Sequence, residues 1–322
     1  MSHRVRRTIA PASLALLLVF LIPLISCAKS ETAAAAGTSQ RTFASPEEAG
    51  KALLDAAKSG DQDTVLAIFG PASKEVIYSG DATQDKETAS AFVSAYDKMN
   101  RWRKLDDSHQ ELIIGADNFT FPIPLRKNES GRWYFDTAAG KDEILARRIG
   151  RNELSAIAVS GALADAQHEY FSESHPDMRK KQYALKFISD TGTQNGLYWE
   201  SAEGQSKSPL GPLVAFATGE GYSAQAKSHE PFHGYYYRML KGQGKHAQGG
   251  AKDYLSDGKM VRGFAFVAYP AEYGNSGVMT FEVNHAGTVY QKDLGELTEA
   301  IAKRIKSFDP DQTWKKVEAP GP

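Results

Sequence analysis

Residues 140–172 read GKDEILARRIGRNELSAIAVSGALADAQHEYFS. Ile144, Leu145, Ile149, Ile157, Leu163 and Tyr170 recur at helical spacing and share one broad face. The stretch predicts a long helix that bends near Gly150 or Gly161, where helix propensity is weakest. The hydrophobic period changes on either side of it, so it is expected to link two halves of the chain. What stands on each side decides the fold class.

On its N-terminal side, Ser45-Pro46-Glu47-Glu48 is a helix start: an N-cap, a proline at the first helical position and a capping-box glutamate. Ala49, Ala52, Leu53 and Ala56 form the apolar stripe, and Gly60 stops the helix. Asp61 caps a second helix with Val65, Leu66 and Phe69 inward, ended by Gly70-Pro71. A third is predicted over residues 86–102, with Phe92, Val93, Tyr96 and Met99 at helical spacing. Strands are predicted over 111–114, 119–125 and 132–135, with a turn at 128–131. Helices followed by a short antiparallel sheet make an α+β pattern.

On the C-terminal side the chain is rich in glycine and tyrosine. Residues 196–199, 234–240, 263–268, 278–283 and 288–290 read as strands. A last helix covers 297–306, before Phe308-Asp309-Pro310 and a tail around Trp314. The expected fold class is α+β throughout.

The N-terminus has a different character. Arg4, Arg6 and Arg7 precede an almost wholly apolar run over 9–26, which closes in Leu24-Ile25-Ser26-Cys27. A basic segment followed by an apolar one is a targeting signal, outside the fold. Its length would also let it span a membrane uncleaved, but Pro23 and the small Ser26 before Cys27 favour cleavage. Cys27 is the only cysteine, so no disulfide is available. Residues 28–42 are small and polar and read as a flexible tether.

The composition limits the function classes. Lys and Arg number 38 against 39 Asp and Glu, evenly spread. No basic stripe marks a nucleic-acid binder. No Gly-x-Ser-x-Gly elbow or P-loop is present. Gly242-Gln243-Gly244-Lys245-His246 lacks the following Ser/Thr and a parallel βαβ setting, and reads as a surface hairpin. His229 and His233 are four apart, but Pro231 between them argues against a helical metal site. Asp309 and Asp311 are too few for a calcium loop. Asp136, Lys141, Asp142, Glu143, Arg147, Arg148 and Arg151 read as helix-face ion pairs, Glu143 with Arg147 at i,i+4. The segment 208–213, SPLGPL, reads as a rigid surface turn.

No catalytic, cofactor-binding or metal-ligating residue is therefore expected. The candidate site residues are Cys27, as a lipid attachment point, and a set of aromatics. Trp102, Phe121 and Trp133 would line a pocket in the first half. Trp199, Tyr235, Tyr236 and Tyr237 would line a groove in the second. Strand alternation sends Tyr236 one way and its neighbours the other, so at least one of those faces is core.

Four resemblances add to this reading. The ending Leu-Ile-Ser-Cys27 resembles a bacterial lipoprotein signal. That implies cleavage before Cys27 and a diacylglycerol plus an amide-linked acyl chain such as palmitate on it. Ala28 after the cysteine implies sorting to the outer membrane, facing the periplasm, with the inner membrane as second choice. The SPEEA opening and the GRWYFD strand loosely resemble the nuclear-transport-factor-like, or cystatin-like, cone. The run Arg151-Asn152-Glu153-Leu154-Ser155-Ala156-Ile157-Ala158, with GYYYRML and GFAFVAYPAEYG downstream, resembles type IV pilin and pseudopilin heads. It departs from them because its helix has no apolar N-terminal half. GRWYFDTAAGKDEILARRIGRNELSAI, GLYWESAEGQSKSPLGPLVA and HGYYYRML together resemble a bacterial exported family of unknown function (domain of unknown function 2950). That resemblance implies an exported protein, often encoded beside a second exported family.

The expected organisation is a signal peptide over 1–26, a lipidated tether over 27–42, a cone-like domain over 43–139 and a pilin-head-like domain over 140–318. The expected role is a non-catalytic interaction or scaffold function, with the membrane and another exported protein as partners. Two alternatives stand beside it. One is a small-ligand-binding or hydrolytic protein using the cone pocket; the other is an accessory of a type IV pilus or secretion system.

Overall fold

Ser45 opens α1 (Pro46–Ser59) as its sequence predicts. Its hydroxyl accepts the Glu48 amide at 3.2 Å, and the Glu48 carboxylate accepts the Ala44 amide at 2.8 Å. Gly60, at φ +68°, closes the helix in the left-handed region. Asp61 caps α2 (Gln62–Phe69), and a short α3 (Lys74–Ile77) follows. α4 (Ala82–Lys98) begins earlier than its apolar period predicts, because the Asp81 carboxylate caps it by accepting Gln84 N at 3.1 Å. It also ends earlier: Met99 is extended, and Trp102 belongs to a strand. The computed structural model describes residues 40–173, 175, 181–201, 206–223 and 230–318. Cys27, most of the tether and His229 lie outside them.

The first sheet is built from β1 (Asn100–Lys104), β2 (His109–Ile114), β3 (Phe119–Thr120), β4 (Leu125–Lys127) and β5 (Trp133–Phe135). Its order is β1-β2-β4-β5, with β3 also pairing β2, and every pairing is antiparallel. The single strand expected over 119–125 is split. Pro122 and Pro124 have no N–H for a ladder, so the chain leaves β2 and returns one segment later. Phe43, Leu53, Leu125, Trp133 and Phe135 fill the core between this sheet and α1.

α5 (Thr137–Ser172) is the long helix expected between the halves. Asp136 caps it, accepting Ala139 N at 3.1 Å. It runs uninterrupted through Gly150 and Gly161. Its glycines differ in surroundings, which yields a prediction with opposite signs. A Cβ on Gly140 would lie 2.7 Å from Pro122 O and 3.0 Å from Ile123 Cα, both backbone atoms. Gly140→Ala is therefore expected to destabilise by about 1–2 kcal/mol, because overpacking outweighs the helix-propensity gain. Nothing lies within 4 Å of a Cβ on Gly161, so Gly161→Ala is expected to stabilise by about 1 kcal/mol. Thermal melts of the two variants check this; shifts of the same sign would refute the packing argument.

α6 (Gly211–Gly219) leads to the second sheet. The turn expected over 208–213 thus gives way at Gly211 to a helix, and Ser208 and Leu210 are buried beneath it. Along the chain follow β6 (Tyr235–Leu240), the short ladder of β7 (Gly242–Gln243) with β8 (Lys252–Asp253), and another of β9 (Leu255–Ser256) with β10 (Lys259–Met260). Then come β11 (Ala265–Pro270), β12 (Met279–Asn284), β13 (Val289–Asp293), α7 (Thr298–Ala302) and β14 (Lys315–Lys316). The main sheet is antiparallel in the order β14-β13-β12-β11-β6. The strand expected over 196–199 is reduced to an isolated bridge between Ile188 and Tyr198.

α5 covers one face of this sheet, where Ala156 packs with Tyr235, Ala268 and Phe281. Strand alternation places Arg238, Val267, Glu282 and Tyr290 on the other face, in register across four strands. There Arg238 donates to Ala302 O at 2.7 Å and Ile305 O at 2.6 Å, fastening the α7 segment to the sheet. The molecule is a mixed helix and antiparallel-sheet structure, so the α+β class holds.

Candidate functional site

α4 has an unusual composition for a helix in a folded body. Its middle, Lys86 to Ala91, is KETASA, with no large apolar side chain, and only Gln84 and Tyr96 of the helix are buried. It is therefore held at its ends. At the C-terminal end Tyr96 tucks against α1 at Gly50, where a Cβ would lie 2.7 Å from the tyrosine oxygen. At the N-terminal end the grip is polar. The Asp85 carboxylate accepts Ser79 N at 3.0 Å, and Gln84 Nε2 donates to Asn152 Oδ1 of α5 at 2.8 Å. Burial raises the Asp85 pKa, and the Ser79 hydrogen bonds oppose that shift.

Between those ends α4 stands away from α5, leaving an open cleft of about 1460 Å³. Phe69, Phe92, Phe121 and Ile144 line one end; Leu213 and Phe216 of α6 line the other. Small-molecule pockets generally measure about 300–1000 Å³, so this one is roomy. Arg147, Arg148 and Arg151 of α5 face it midway, and they differ in state. Arg147 is half-exposed, pairs with Glu143 at 2.6 Å and lies over the Phe119 ring at 4.7 Å. Arg151 is exposed, with no hydrogen-bond or ion-pair partner among the described residues. Arg148 is only 7% exposed. It donates to Val76 O at 2.6 Å, Ile77 O at 3.2 Å, Tyr78 O at 3.4 Å and Asn275 Oδ1.

A polar seam runs from the cleft into the second sheet. Asp81 is buried and accepts Tyr222 Oη at 2.8 Å and Gly234 N at 3.2 Å. Burial, then the Asp81 hydrogen bond, pushes the Tyr222 pKa up, so it remains a donor. Asn152 Nδ2 donates to Ser276 O at 2.8 Å, and the Glu153 carboxylate accepts the amides of Val278 and Met279. His233, at φ +50°, brings Nε2 within 3.0 Å of Glu220 Oε2. That approach is poorly directed, and Glu220 Oε2 is buried without a well-formed hydrogen bond. Burial raises the Glu220 pKa, and His233 pulls the other way. Gln84 Oε1 is a second buried acceptor without a donor.

The aromatics singled out from the sequence do not gather at one place. Phe121 lines the cleft, 5.5 Å from Phe92 between ring centres. Trp102 is half-buried between α1 and α4, and Trp133 is buried under Lys127. Trp199 is buried in the core of the second half, its indole N–H donating to Ser206 O at 3.2 Å. Tyr235 is fully buried and donates to Met279 O at 2.9 Å. Tyr237 points to the same sheet face with its hydroxyl unpaired, while Tyr236 lies on the other face against Tyr269.

The glycine hairpin at 242–246 holds a carboxylate of its own chain. His246 N donates to Asp309 Oδ1 at 2.7 Å, and the Asp309 carboxyl occupies the space a side chain on Gly244 would need. The charge cluster at the start of α5 is split. Glu143 and Arg147 form the expected helix-face pair, and Asp136 pairs with Arg126 at 3.0 Å. Arg148 is the exception, turned inward as a latch. The residues that sequence reasoning passed over are Asp81, Gln84, Asn152 and Asn275. One signal was available: Asn152 is a poor helix former in mid-helix, which implies a partner for its amide.

No curated protein and no solved structure matches this chain. Residues 40–317 match the family described as Protein of unknown function (DUF2950), and the chain belongs to that family.

Proposed function

We propose that this protein is a lipid-anchored, periplasm-facing envelope protein that acts by binding, with the α4–α5 cleft as its binding site. The cleft carries the reading: an open hollow of about 1460 Å³, apolar at both ends and cationic midway. The middle of α4, KETASA, lines the gap with small and polar side chains and so leaves it open instead of closing it with apolar ones. The N-terminal pattern ending at Cys27 supports the anchor, and the tether over 28–42 would hold the body away from the membrane surface. The antiparallel first sheet under α1 supports a cone-like first module. The second sheet under α5 supports a pilin-head-like second one.

Three measurements test this reading. Cys27→Ala is expected to abolish palmitate labelling and move the protein from the membrane to the periplasmic fraction. Ala28→Asp is expected to shift it from outer to inner membrane on a density gradient. Unchanged labelling of Cys27→Ala would sink the anchor. For the cleft, a photo-crosslinking residue at Ala91 or Ala158 is expected to trap a species in intact cells. One at Lys51, on α1 away from the cleft, is not. Equal yields from all positions, or none, would sink the cleft as a binding site.

A further inference from the structure

We infer that the cleft takes an amphiphile with an acyl chain and an anionic head group; this rests on the binding reading above. The first ground is shape. The α5 wall runs from Ile144 to Ala162, about 27 Å at 1.5 Å per residue. Its cleft-facing side carries the short side chains of Ser155, Ala158 and Ala162. A hollow that follows about 27 Å of helix suits an extended chain better than a compact ring system. The second ground is the aromatic end. Phe92 and Phe121 sit 5.5 Å apart with Ile144 beside them, and they offer apolar surface at the cleft. Each methylene buried there gains about 0.8 kcal/mol.

The third ground is charge. Cationic side chains outnumber anionic ones six to three along the lining. Arg151 of α5 and Lys86 of α4 both line the cleft, and both lack an ion-pair partner among the described residues. An anionic head between them would be held from both walls. Beside them Gln84 is 2% exposed, and its Oε1 has no donor. Its amide orientation is set by Asn152, which accepts from Nε2 and itself donates to Ser276 O. A buried acceptor left open costs about 1–3 kcal/mol, and a hydroxyl or amide N–H in the head group would close it. The head therefore sits at Arg151, Lys86 and Gln84, midway along the cleft, and the acyl chain extends from there along the lining, toward Phe92 and Phe121 on one side and Ala158, Ala162 and Phe216 on the other.

The test uses the full-length lipidated protein in nanodiscs of zwitterionic phospholipid, with fluorophore-tagged palmitate as probe. Saturable binding is expected. Arg151→Glu is expected to weaken it at least tenfold by reversing charge at an exposed position. Ala89→Trp, filling the cleft from α4, is expected to weaken it as much, while Lys51→Trp leaves it unchanged. Displacement by oleate identifies a free fatty acid as the ligand source, and displacement by phosphatidylglycerol identifies a membrane lipid. No saturable binding of palmitate or phosphatidylglycerol overturns the inference, as does binding indifferent to both cleft variants. Crosslinks from Ala91 and Ala158 that contain a polypeptide, with no acyl binding, overturn this inference while leaving the binding reading intact. Absence of any cleft crosslink overturns both.

Discussion

Arg148→Ala is expected to lower the unfolding free energy by about 3–5 kcal/mol, the combined scale of several buried acceptors left without a donor. The guanidinium sits at the end of α3, where Val76 and Ile77 carbonyls have no helical donor. It also reaches Tyr78 O and, from the second half, Asn275 Oδ1. Alanine would leave those acceptors buried and unpaired, each at a cost of about 1–3 kcal/mol, not fully additive. Burial pulls the Arg148 pKa down, but a guanidinium stays protonated. Arg148→Lys is expected to recover only part of the loss, because an ammonium cannot present the planar fork. The neighbouring Arg147→Ala is the control. Its pair with Glu143 is half-exposed at i,i+4 and contributes about 0.3–0.5 kcal/mol. Urea unfolding of the three variants reads the contrast. An Arg148→Ala variant within 1 kcal/mol of the wild type, roughly the value of one net hydrogen bond, would show that the latch does not hold.

The second large effect is on pH dependence. Glu282 lies in β12 and is 2% exposed. Its neighbours in register are Val267 and Tyr290, and one backbone donor, Asp309 N, approaches at 3.3 Å. Arg238 shares its face but gives its Nη2 to carbonyls of the α7 segment, and its Nε has no acceptor. Burial foremost pushes the Glu282 pKa up to about 8, and the charge of Asp309 adds to it. In the unfolded chain the carboxyl titrates near 4.5. Between those values the folded chain holds a proton that the unfolded chain has released, so stability falls as pH rises through that window. By pH 8 the loss is about 4 kcal/mol. Glu282→Gln keeps an acceptor for Asp309 N and removes the titration. Its melting temperature is expected to stay level from pH 5 to pH 8 while that of the wild type drops. Parallel curves would assign the pH dependence to other groups.

Much of the local structure was legible in the residues. Ser45, Pro46, Glu48 and Gly60 delimit α1 through bonds that reach no more than four positions along the chain. The apolar face from Ile144 to Tyr170 marks α5 in the same way, although the helix starts three residues earlier than expected, capped by Asp136. The alternation of Tyr235, Tyr236 and Tyr237 followed from strand geometry. Errors arose where a distant partner intervened. Residues 100–102 were expected to continue the third helix but belong to β1, because β2 offered a ladder. The extended segment at 196–199 found no strand partner beyond one bridge.

The site was legible only in part. Arg147 and Arg148 are adjacent and chemically identical, and the local pattern treats both as surface ion-pair formers. One is a surface pair and the other a buried latch, because α3 and the turn at Asn275 approach only one side of α5. Asp81 and Gln84 precede the helix expected over 86–102 and carry no local signal of their own. They become the junction of both halves because Tyr222, Gly234 and Asn152 reach them from 68 to 153 residues away.

The sequence by itself determined the α+β class, the caps of α1 and α2, the long α5 and membership of the family that covers residues 40–317. Those properties rest on periodicity and on contacts a few residues apart, which any linear reading can follow. Tertiary structure decided that α4 stands off from α5, that Arg148 and Glu282 are buried, and that Arg151 has no ion-pair partner among the described residues. Burial and charge pairing are set by what the rest of the chain brings alongside. Arg148 and Asn275, 127 residues apart, meet only once the chain has folded.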